Sequence, residues 1–334
     1  MRVDIVGGSI SGLAAAQSLK QHNKDIDVVV HEKYKEIGYN HEGRRCGEAH
    51  SVESEWAKWK PIGDSVYTEI LKVETQIGNR KYIVHRKPGT SCILNRQAFI
   101  CQLAREAEKR GVQIETGDRI SSVDDLDGDY LIDASGCPST FKRELGIGRG
   151  IIGATYQQTL EDCNWFQADN VTIVFTGEFG YYWIFPRDPK KREVNLGIGV
   201  LGGFDLNLKK LLEEFKEKQQ ITGKINYVLG GPIPAGLQHP LMYKNILFIG
   251  DAGVGTFPLT GQGIYRALIS GDVAGRCVAS GQAQRYPHII HQKFIKWHII
   301  GVSMVYLNHV LRLVGPRAVF ASLYYFIGMR GGIH

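Results

Sequence analysis

The sequence predicts an α/β protein in which a lobe with a parallel sheet is interleaved with an α+β lobe built on an antiparallel sheet. Two observations predict the parallel sheet. An apolar strand, a glycine-rich turn and a helix occupy residues 3–19, and another strand, turn and helix occupy residues 245–268. Between them, short alternating strands separated by turns predict the antiparallel lobe. The chain must therefore leave its first lobe and return to it.

The first glycine-rich turn has the form of a dinucleotide-binding loop. Residues 6–12 read VGGSISG, directly after the strand and directly before a helix rich in alanine and leucine. Backbone N–H groups at a helix N-terminus approach a pyrophosphate closely only where no Cβ intervenes, as in a Rossmann-like domain. Ser9 stands where this pattern usually has its second glycine. The predicted cofactor contacts in the loop are Gly7, Gly8, Ser11 and Gly12.

Two carboxylates at strand ends indicate which dinucleotide is bound. The strand at 27–31 leads into Glu32, about 20 residues after the loop, where a carboxylate accepts hydrogen bonds from a ribose diol. Asp251 follows the strand at 245–249, in position to hold a ribityl hydroxyl of a flavin. The glycine-rich start of the next helix supplies N–H donors to the flavin, although packing alone is the alternative for this segment. The predicted cofactor is FAD. Its predicted contacts here are Glu32, Asp251, Gly261, Gly263 and Ile264.

With these motifs the chain resembles the FAD-dependent proteins built like aromatic hydroxylases and, within them, the geranylgeranyl reductase family. Residues 44–48 read RRCGE and resemble the Cys-Gly-Glu signature that the family places beside the flavin. Arg96, at the start of a predicted helix, matches the arginine that the wider group places near the cofactor. Residues 181–186 read YYWIFP and resemble the end of the family's substrate motif, whose usual first proline is Glu178 here. The resemblance covers residues 1 to about 275.

The resemblance implies a site made from these segments. Tyr181, Trp183 and Phe185 alternate along a strand and so point to one face, which is either a substrate pocket or a buried sheet face. Cys46 follows two arginines, and cationic neighbours favour a reactive thiolate, so a role over the flavin as a proton relay or a gate is expected. The implied catalytic residues are Cys46, Trp183 and Tyr181; the implied cofactor contacts are Arg45, Cys46, Gly47 and Arg96; the implied substrate contacts are Tyr181, Trp183, Phe185 and Pro186.

The activity that the resemblance implies is FAD-dependent reduction of carbon–carbon double bonds in a polyprenyl (geranylgeranyl) chain of a lipid or quinone. An FAD-dependent monooxygenase or halogenase of the same fold is one alternative. Against it, Ser135-Gly136 replaces the Asp-Gly pair of the hydroxylases, with Asp133 two places earlier. A prenyl-binding escort protein without redox chemistry is the other alternative, although it would need neither Glu32 nor Asp251. The external electron donor stays open between NAD(P)H, ferredoxin and another reduced carrier, including a donor protein.

The order of these segments predicts a discontinuous domain arrangement. Within the antiparallel lobe, strands at 66–73 and 81–86 are expected to form a hairpin. The apolar C-terminal region is interrupted by polar residues, so its clean stretches are too short to cross a bilayer. It is expected to cap the cofactor lobe or to rest on a membrane surface. The predicted boundaries are 1–59, 93–150 and 240–295 for the FAD-binding domain, 60–92 and 151–239 for the substrate-binding domain, and 296–334 for the helical C-terminal region.

Composition narrows the class of protein. A hydrophobic fraction of 43% and a charged fraction of 22% over 334 residues are those of a globular protein in water. The net charge of +6 is scattered. Its densest run, residues 187–192, is expected to be a solvated hairpin tip, and no basic and aromatic pattern indicates nucleic acid. The six cysteines lack metal-site spacing, so free thiols and no metal are expected. Because Met1 leads directly into the first strand, we expect no leader and a cytoplasmic protein, with peripheral membrane contact as a further expectation.

Overall fold

Two large sheets dominate the computed structural model, which describes residues 1–39, 46–51, 59–148, 150–175, 180–201, 205–258 and 260–314. The helices are α1 (Ile10–His22), α2 (Arg96–Glu108), α3 (Thr140–Glu144), α4 (Leu208–Gln219), α5 (Ile264–Ala279) and α6 (Tyr286–Val314). The strands are β1 (Arg2–Val6), β2 (Asp27–Glu32), β3 (Ala49–Ser51), β4 (Val66–Glu69), β5 (Lys72–Ile77), β6 (Arg80–His85), β7 (Ser91–Leu94), β8 (Gln113–Thr116), β9 (Tyr130–Asp133), β10 (Ile151–Glu161), β11 (Asn170–Phe175), β12 (Gly180–Pro186), β13 (Val194–Leu201), β14 (Lys224–Ala235), β15 (Met242–Tyr243) and β16 (Ile246–Phe248).

The first sheet is parallel except at one edge. Its strand order is β15–β16–β9–β1–β2–β8, and only the pair of β15 with β16 is antiparallel among its described neighbours. The central strands β1 and β2 are short apolar runs with almost every residue buried, which is typical of parallel strands covered on both faces. In such a sheet the carboxyl ends of the strands meet at one edge, where ligands bind. The glycine loop and the end of β2 lie at this edge.

Helices α1 and α5 pack closely because small residues face each other. Three consecutive alanines of α1 are fully buried, and glycines of α5 lie against the α1 backbone. A Cβ built at Gly271 would lie 2.3 Å from the carbonyl oxygen of Ser11, and one at Gly275 would lie 2.6 Å from that of Ala15. Backbone atoms at such distances cannot move aside cheaply. This contact therefore fixes α5, and with it the loop that precedes α5, against the glycine loop.

The second sheet is largely antiparallel and has one covered face. Its order is β14–β10–β13–β12–β11–β5–β6, in which β11 and β5 run parallel. Amphipathic helix α4 packs its buried residues Leu208, Leu212 and Phe215 on one face of this sheet, and the ring of Phe215 stacks on Tyr182 at 4.0 Å between centroids. Because side chains alternate along a strand, the neighbours of Tyr182 on β12 point to the opposite face.

The structure confirms the predicted fold class and corrects several elements. The expected strand at 66–73 is divided: β4 joins a three-stranded sheet in the order β3–β7–β4, whereas β5 joins the second large sheet. The hairpin turn is where it was expected, between β5 and β6. The C-terminal region is one continuous helix, α6, as far as Val314, despite its polar residues. No helix within the described ranges is long and apolar enough to cross a membrane. The domain boundaries stay predictions.

We predict that Gly275→Ala lowers the free energy of unfolding by about 1 to 3 kcal/mol, because the added methyl group overpacks the contact between α1 and α5. Urea unfolding measures this. Gly148→Ala is the matched control, since a Cβ at Gly148 would meet no atom within 4 Å. Equal stability of the two variants would show that the close approach of the helices does not limit the fold.

Candidate active site

A cavity of about 1690 Å³ lies between the two large sheets. It exceeds the roughly 300 to 1,000 Å³ of a typical small-molecule site, so it has room for a cofactor and a second ligand. Its wall includes the glycine loop and the end of β2 on one side and the uncovered face of the second sheet on the other. The loop before α5 and the first turn of α5 also line it. Among the described residues, all of the predicted site residues except Gly12 and Pro186 therefore line one cavity.

The glycine loop has the backbone geometry that a pyrophosphate site needs. Gly7 has a φ of 109°, and a Cβ at Gly12 would lie 2.1 Å from the carbonyl oxygen of Gly7. Ser9, the residue that departs from the usual pattern, is the N-cap of α1 and accepts a hydrogen bond from the Gly12 N–H at 3.3 Å. Its hydroxyl also donates to the carbonyl of Ala134. Ser9 thus stabilises the loop through its hydrogen bonds. Gly7 and Gly12 occupy the positions where a Cβ would strain or clash with the backbone.

Glu32 stands beside this loop with both oxygens toward the backbone. Its Oε2 accepts from the Gly8 N–H at 2.9 Å, and its Oε1 accepts from the Tyr34 N–H at 3.0 Å. Each carboxylate oxygen has a further lone pair, so the group can still accept hydrogen bonds from a ribose. A Cβ at Gly8 would lie 2.4 Å from the terminal Cδ1 of Ile37, so Gly8 packs closely against that side chain.

Asp251 and its surroundings form the far end of the cofactor site. Asp251 lies on a single 3-10 turn after β16 with its side chain open to the cavity, where desolvation by the surrounding protein raises the pKa of its carboxyl despite the positive charges of Arg96 and Arg266. Two buried polar atoms in this part of the cavity wall, Nε of Arg96 and Oγ1 of Thr260, have no hydrogen-bond partner in the described protein. Buried polar atoms of this kind call for a polar ligand. Together with the glycine loop they fit FAD.

The loop before α5 is held by the second sheet. The hydroxyl of Tyr181 donates to the carbonyl oxygen of Thr260. Gly261 has a φ of 65°, and a Cβ there would lie 2.7 Å from the Tyr181 hydroxyl. Gly263 is the N-cap of α5 and Ile264 is its first residue, and both line the cavity.

The aromatic residues of β12 form the opposite wall. Tyr181, Trp183 and Phe185 all line the cavity, and the rings of Tyr181 and Trp183 lie 5.9 Å apart between centroids. The indole N–H of Trp183 donates to Oε1 of Gln157 at 3.1 Å. A Cβ at Gly47 would lie 2.9 Å from the Phe185 ring, so Gly47 lies directly against this wall. The expectation that the three aromatics share one face is met. Pro186, predicted as a substrate contact, is buried and is not among the described residues that line the cavity.

Cys46 lies at the cavity as predicted, but its ionisation differs from the expectation. Its sulfur accepts a hydrogen bond from the Glu48 N–H at 3.2 Å. Burial raises the pKa of the thiol above its ordinary value of 9.0, although the charge of Arg96 opposes this shift. Desolvation thus outweighs the cation and favours the protonated thiol over the thiolate expected from the sequence. Arg45, a predicted cofactor contact, lies outside the described residues.

A buried ion network, not expected from the sequence, holds the Cys46 segment. Arg187 was expected at a solvated hairpin tip. Its guanidinium instead donates to Glu48 at 2.8 Å, to Glu193, and to the hydroxyl of Tyr67 at 2.9 Å. Asn195 donates to Oε2 of Glu48 at 3.1 Å and to the carbonyl of Cys46 at 3.0 Å. Only the rest of the run, 188–192, matches the expected exposed tip. The sequence did contain a signal for Arg187, because every second residue of a strand points to the same face, and residue 187 continues the series 181, 183 and 185 that faces the cavity.

Asp133 has a structural role. Its carboxylate accepts from the backbone N–H of Ser135 at 2.9 Å, from the hydroxyl of Ser139 at 2.6 Å and from the N–H of Phe141 at 3.1 Å. Because it is fully buried, Asp133 stabilises the turn before α3 rather than facing a ligand. Its position does not replace the Asp-Gly pair of the hydroxylases.

Comparison with known proteins identifies the relatives of this chain. Residues 152–231 match the family model of the geranylgeranyl reductase catalytic domain, and residues 5–62 match that of an NAD(P)-binding Rossmann-like domain. The resemblance to the geranylgeranyl reductase family is confirmed. The matched catalytic segment contains the aromatic strand β12 and Arg187. The matched Rossmann-like segment contains the glycine loop and Glu32.

Similar proteins cover most of the chain. Digeranylgeranylglycerophospholipid reductase from Methanocella arvoryzae is 25% identical over 83% of this chain and 77% of its own length. The enzyme of the same name from Methanothrix thermoacetophila is 26% identical over 84% and 78%. A geranylgeranyl bacteriochlorophyll reductase-like structure from Thermoplasma acidophilum has a TM-score of 0.79 at 20% identity, covering 96% of this chain and 89% of its own. A flavin-dependent brominase has a TM-score of 0.68 at 14% identity, covering 96% and 94%. These structures share the fold.

We predict that Glu32→Ala weakens FAD binding by about 1.5 to 3 kcal/mol, because a charged hydrogen-bond acceptor is lost. Titration of the apoprotein, followed by flavin fluorescence, gives the dissociation constant. Glu32→Gln is the matched variant, since it removes the charge but keeps one carbonyl acceptor for the loop, and its loss should be smaller. If both variants bound FAD as tightly as the wild type, Glu32 would not be a cofactor contact.

Proposed function

We propose that this protein is an FAD-dependent oxidoreductase that saturates carbon–carbon double bonds in a polyprenyl chain of a lipid or quinone. One observation carries the proposal: the dinucleotide loop, the Cys46 segment and the aromatic face of β12 line the same cavity, which is large enough for a cofactor and a second ligand. The names of the similar archaeal enzymes support a digeranylgeranyl lipid as the class of substrate.

The cavity suits the reduction of an unactivated alkene. When bound, FAD supplies a hydride. A proton must reach the alkene before or together with it, which gives a tertiary carbon positive character. The rings of Tyr181 and Trp183 stabilise such a charge through their faces. Beside them, Val171, Ile173 and Phe175 of β11 extend the apolar wall, which disfavours water that would trap the carbon.

Cys46 holds a proton at this wall. Because burial keeps the thiol protonated, it donates or relays a proton rather than attacking as a nucleophile. Two hydrogen bonds fix the position of Cys46. Asn195 donates to its carbonyl oxygen, and the Glu48 N–H donates to its sulfur. Arg187 anchors Glu48 in turn. We regard Arg187 and Asn195 as positioning residues for this thiol.

Peripheral contact with a membrane is part of the proposal, because the substrate is a lipid. The described part of α6 carries exposed apolar side chains at Ile299, Tyr306, Leu307 and Val310, whose spacing places them on one side of the helix. The preceding turns of the same helix contribute Phe294 and Trp297 to the cavity wall. A polyprenyl chain could therefore pass from this surface to the cavity along one helix. The electron donor and the predicted cytoplasmic location stay predictions.

The test of this function is a product analysis. Protein reduced with dithionite is incubated with a digeranylgeranyl phospholipid, a geranylgeranyl diphosphate and a prenylquinone, and the products are weighed by mass spectrometry. We expect at least one to gain two hydrogens for each saturated bond, with reoxidation of the flavin. Oxygenated or halogenated products in air, with no hydrogenated product, would instead support the alternative enzyme class.

We predict that Cys46→Ala leaves FAD bound but lowers the single-turnover rate of flavin reoxidation by substrate at least tenfold, because the proton at the wall is lost. Cys101→Ala is the matched control, since Cys101 is a partly buried thiol that does not line the cavity, and it should keep the wild-type rate.

The pKa of the Cys46 thiol is raised in the folded protein, so the thiol keeps its proton up to at least the ordinary thiol pKa. The reoxidation rate of the wild type should therefore not fall until the pH exceeds 9.0. Full activity of Cys46→Ala would end the proposed role.

A further inference from the structure

His50 lies on the wall of the cavity and has no role in the function described above. It is the middle residue of β3, two residues after Glu48, and pairs with Cys92 of β7. The side chain is buried, with the whole residue 5% exposed, and its ring lies 6.1 Å from that of Phe99 between centroids. It nevertheless borders the cavity. His50 therefore sits between the packed interior of the first lobe and the ligand space.

The imidazole lacks a hydrogen bond that its burial requires. Its Nδ1 is shielded from solvent and has no partner in the described protein. Burial lowers the pKa of His50 to about 4, so the ring is neutral at physiological pH and offers one N–H donor and one acceptor. Leaving a buried polar atom without a partner is costly, and such atoms are rare in folded proteins. A ligand in the cavity would remove this cost.

The surrounding groups indicate which ligand this is. Strand β3 lies against α5, whose first turn borders the cavity. Arg96 and Ile100, on consecutive turns of α2, line the cavity as His50 does. Nε of Arg96 is a second buried atom without a partner among the described residues. Both unpartnered atoms thus lie on the cavity wall that the first lobe forms, and the charge of Asp251 acts on Arg96, so this is the wall where the flavin half of FAD is expected.

We propose that His50 is a cofactor-binding residue whose neutral imidazole hydrogen-bonds to the flavin half of FAD. The inference rests on the proposed function, because it takes FAD as the occupant of the cavity. It adds a contact that the glycine loop, Glu32 and Asp251 do not supply.

The test compares FAD affinity among histidine variants of the full chain. His50→Phe keeps an aromatic ring against Phe99 and removes both nitrogens, so the dissociation constant for FAD should rise about tenfold. His50→Gln keeps a donor and an acceptor and should stay within about threefold of the wild type. His85→Phe is the matched control, because His85 is an exposed cavity residue at the end of the edge strand β6, and it should bind FAD as the wild type does.

A second measurement does not depend on a substitution that could disturb folding. In wild-type protein labelled with ¹⁵N-histidine, FAD should shift the imidazole resonances of His50, which the His50→Gln spectrum assigns by their absence. Unchanged FAD affinity in His50→Phe, or unmoved His50 resonances on saturation with FAD, would overturn the inference. If the wild-type protein does not bind FAD, the proposed function is wrong. If it binds FAD but the His50 results are negative, only the proposed role of His50 is wrong.

Discussion

The buried guanidinium of Arg187 joins the two halves of the candidate site. Its two carboxylate partners come from opposite sides: Glu193 from the start of the segment that leads into β13, and Glu48 from the Cys46 segment, 139 residues away in the chain. Burial raises the pKa of Glu48, and Arg187 opposes that shift. Removing one partner of a buried pair typically costs roughly 3 to 5 kcal/mol, because the remaining charge is uncompensated. The position of the thiol therefore depends on an ion network that neither lobe could build alone.

The aromatic wall depends on small residues around it. Gly197 and Gly199 of β13 lie beneath the indole of Trp183, and a Cβ at Gly197 would lie 2.2 Å from that ring. Gly47 lies against Phe185 in the same way. Large rings can face a cavity only where the neighbouring positions leave room for them, since protein interiors are close-packed. The absence of a Cβ at these glycines lets the aromatic rings pack close to the neighbouring backbone, which leaves more of the cavity volume free.

Much of the site could be predicted because its signals are local. The glycine spacing and the strand and helix on either side of it predict a loop with accessible N–H groups, and Ser9 fits this loop as an N-cap. The alternation along β12 predicts that Tyr181, Trp183 and Phe185 share a face. Strand pairing was harder, because the expected strand at 66–73 is divided between two sheets by contacts with distant segments.

The sequence by itself determined the strand, turn and helix motifs of the parallel-sheet lobe, the dinucleotide loop and the aromatic face, since each of these depends on residues within a few positions of one another. Only the tertiary structure decided the ionisation of Cys46, the burial of Arg187 and the unsatisfied imidazole of His50. The physical reason is that desolvation and ion pairing depend on neighbours brought together from remote parts of the chain. A thiol beside arginines in the sequence is partly buried and desolvated in space, and an arginine in a basic run pairs with carboxylates from two segments.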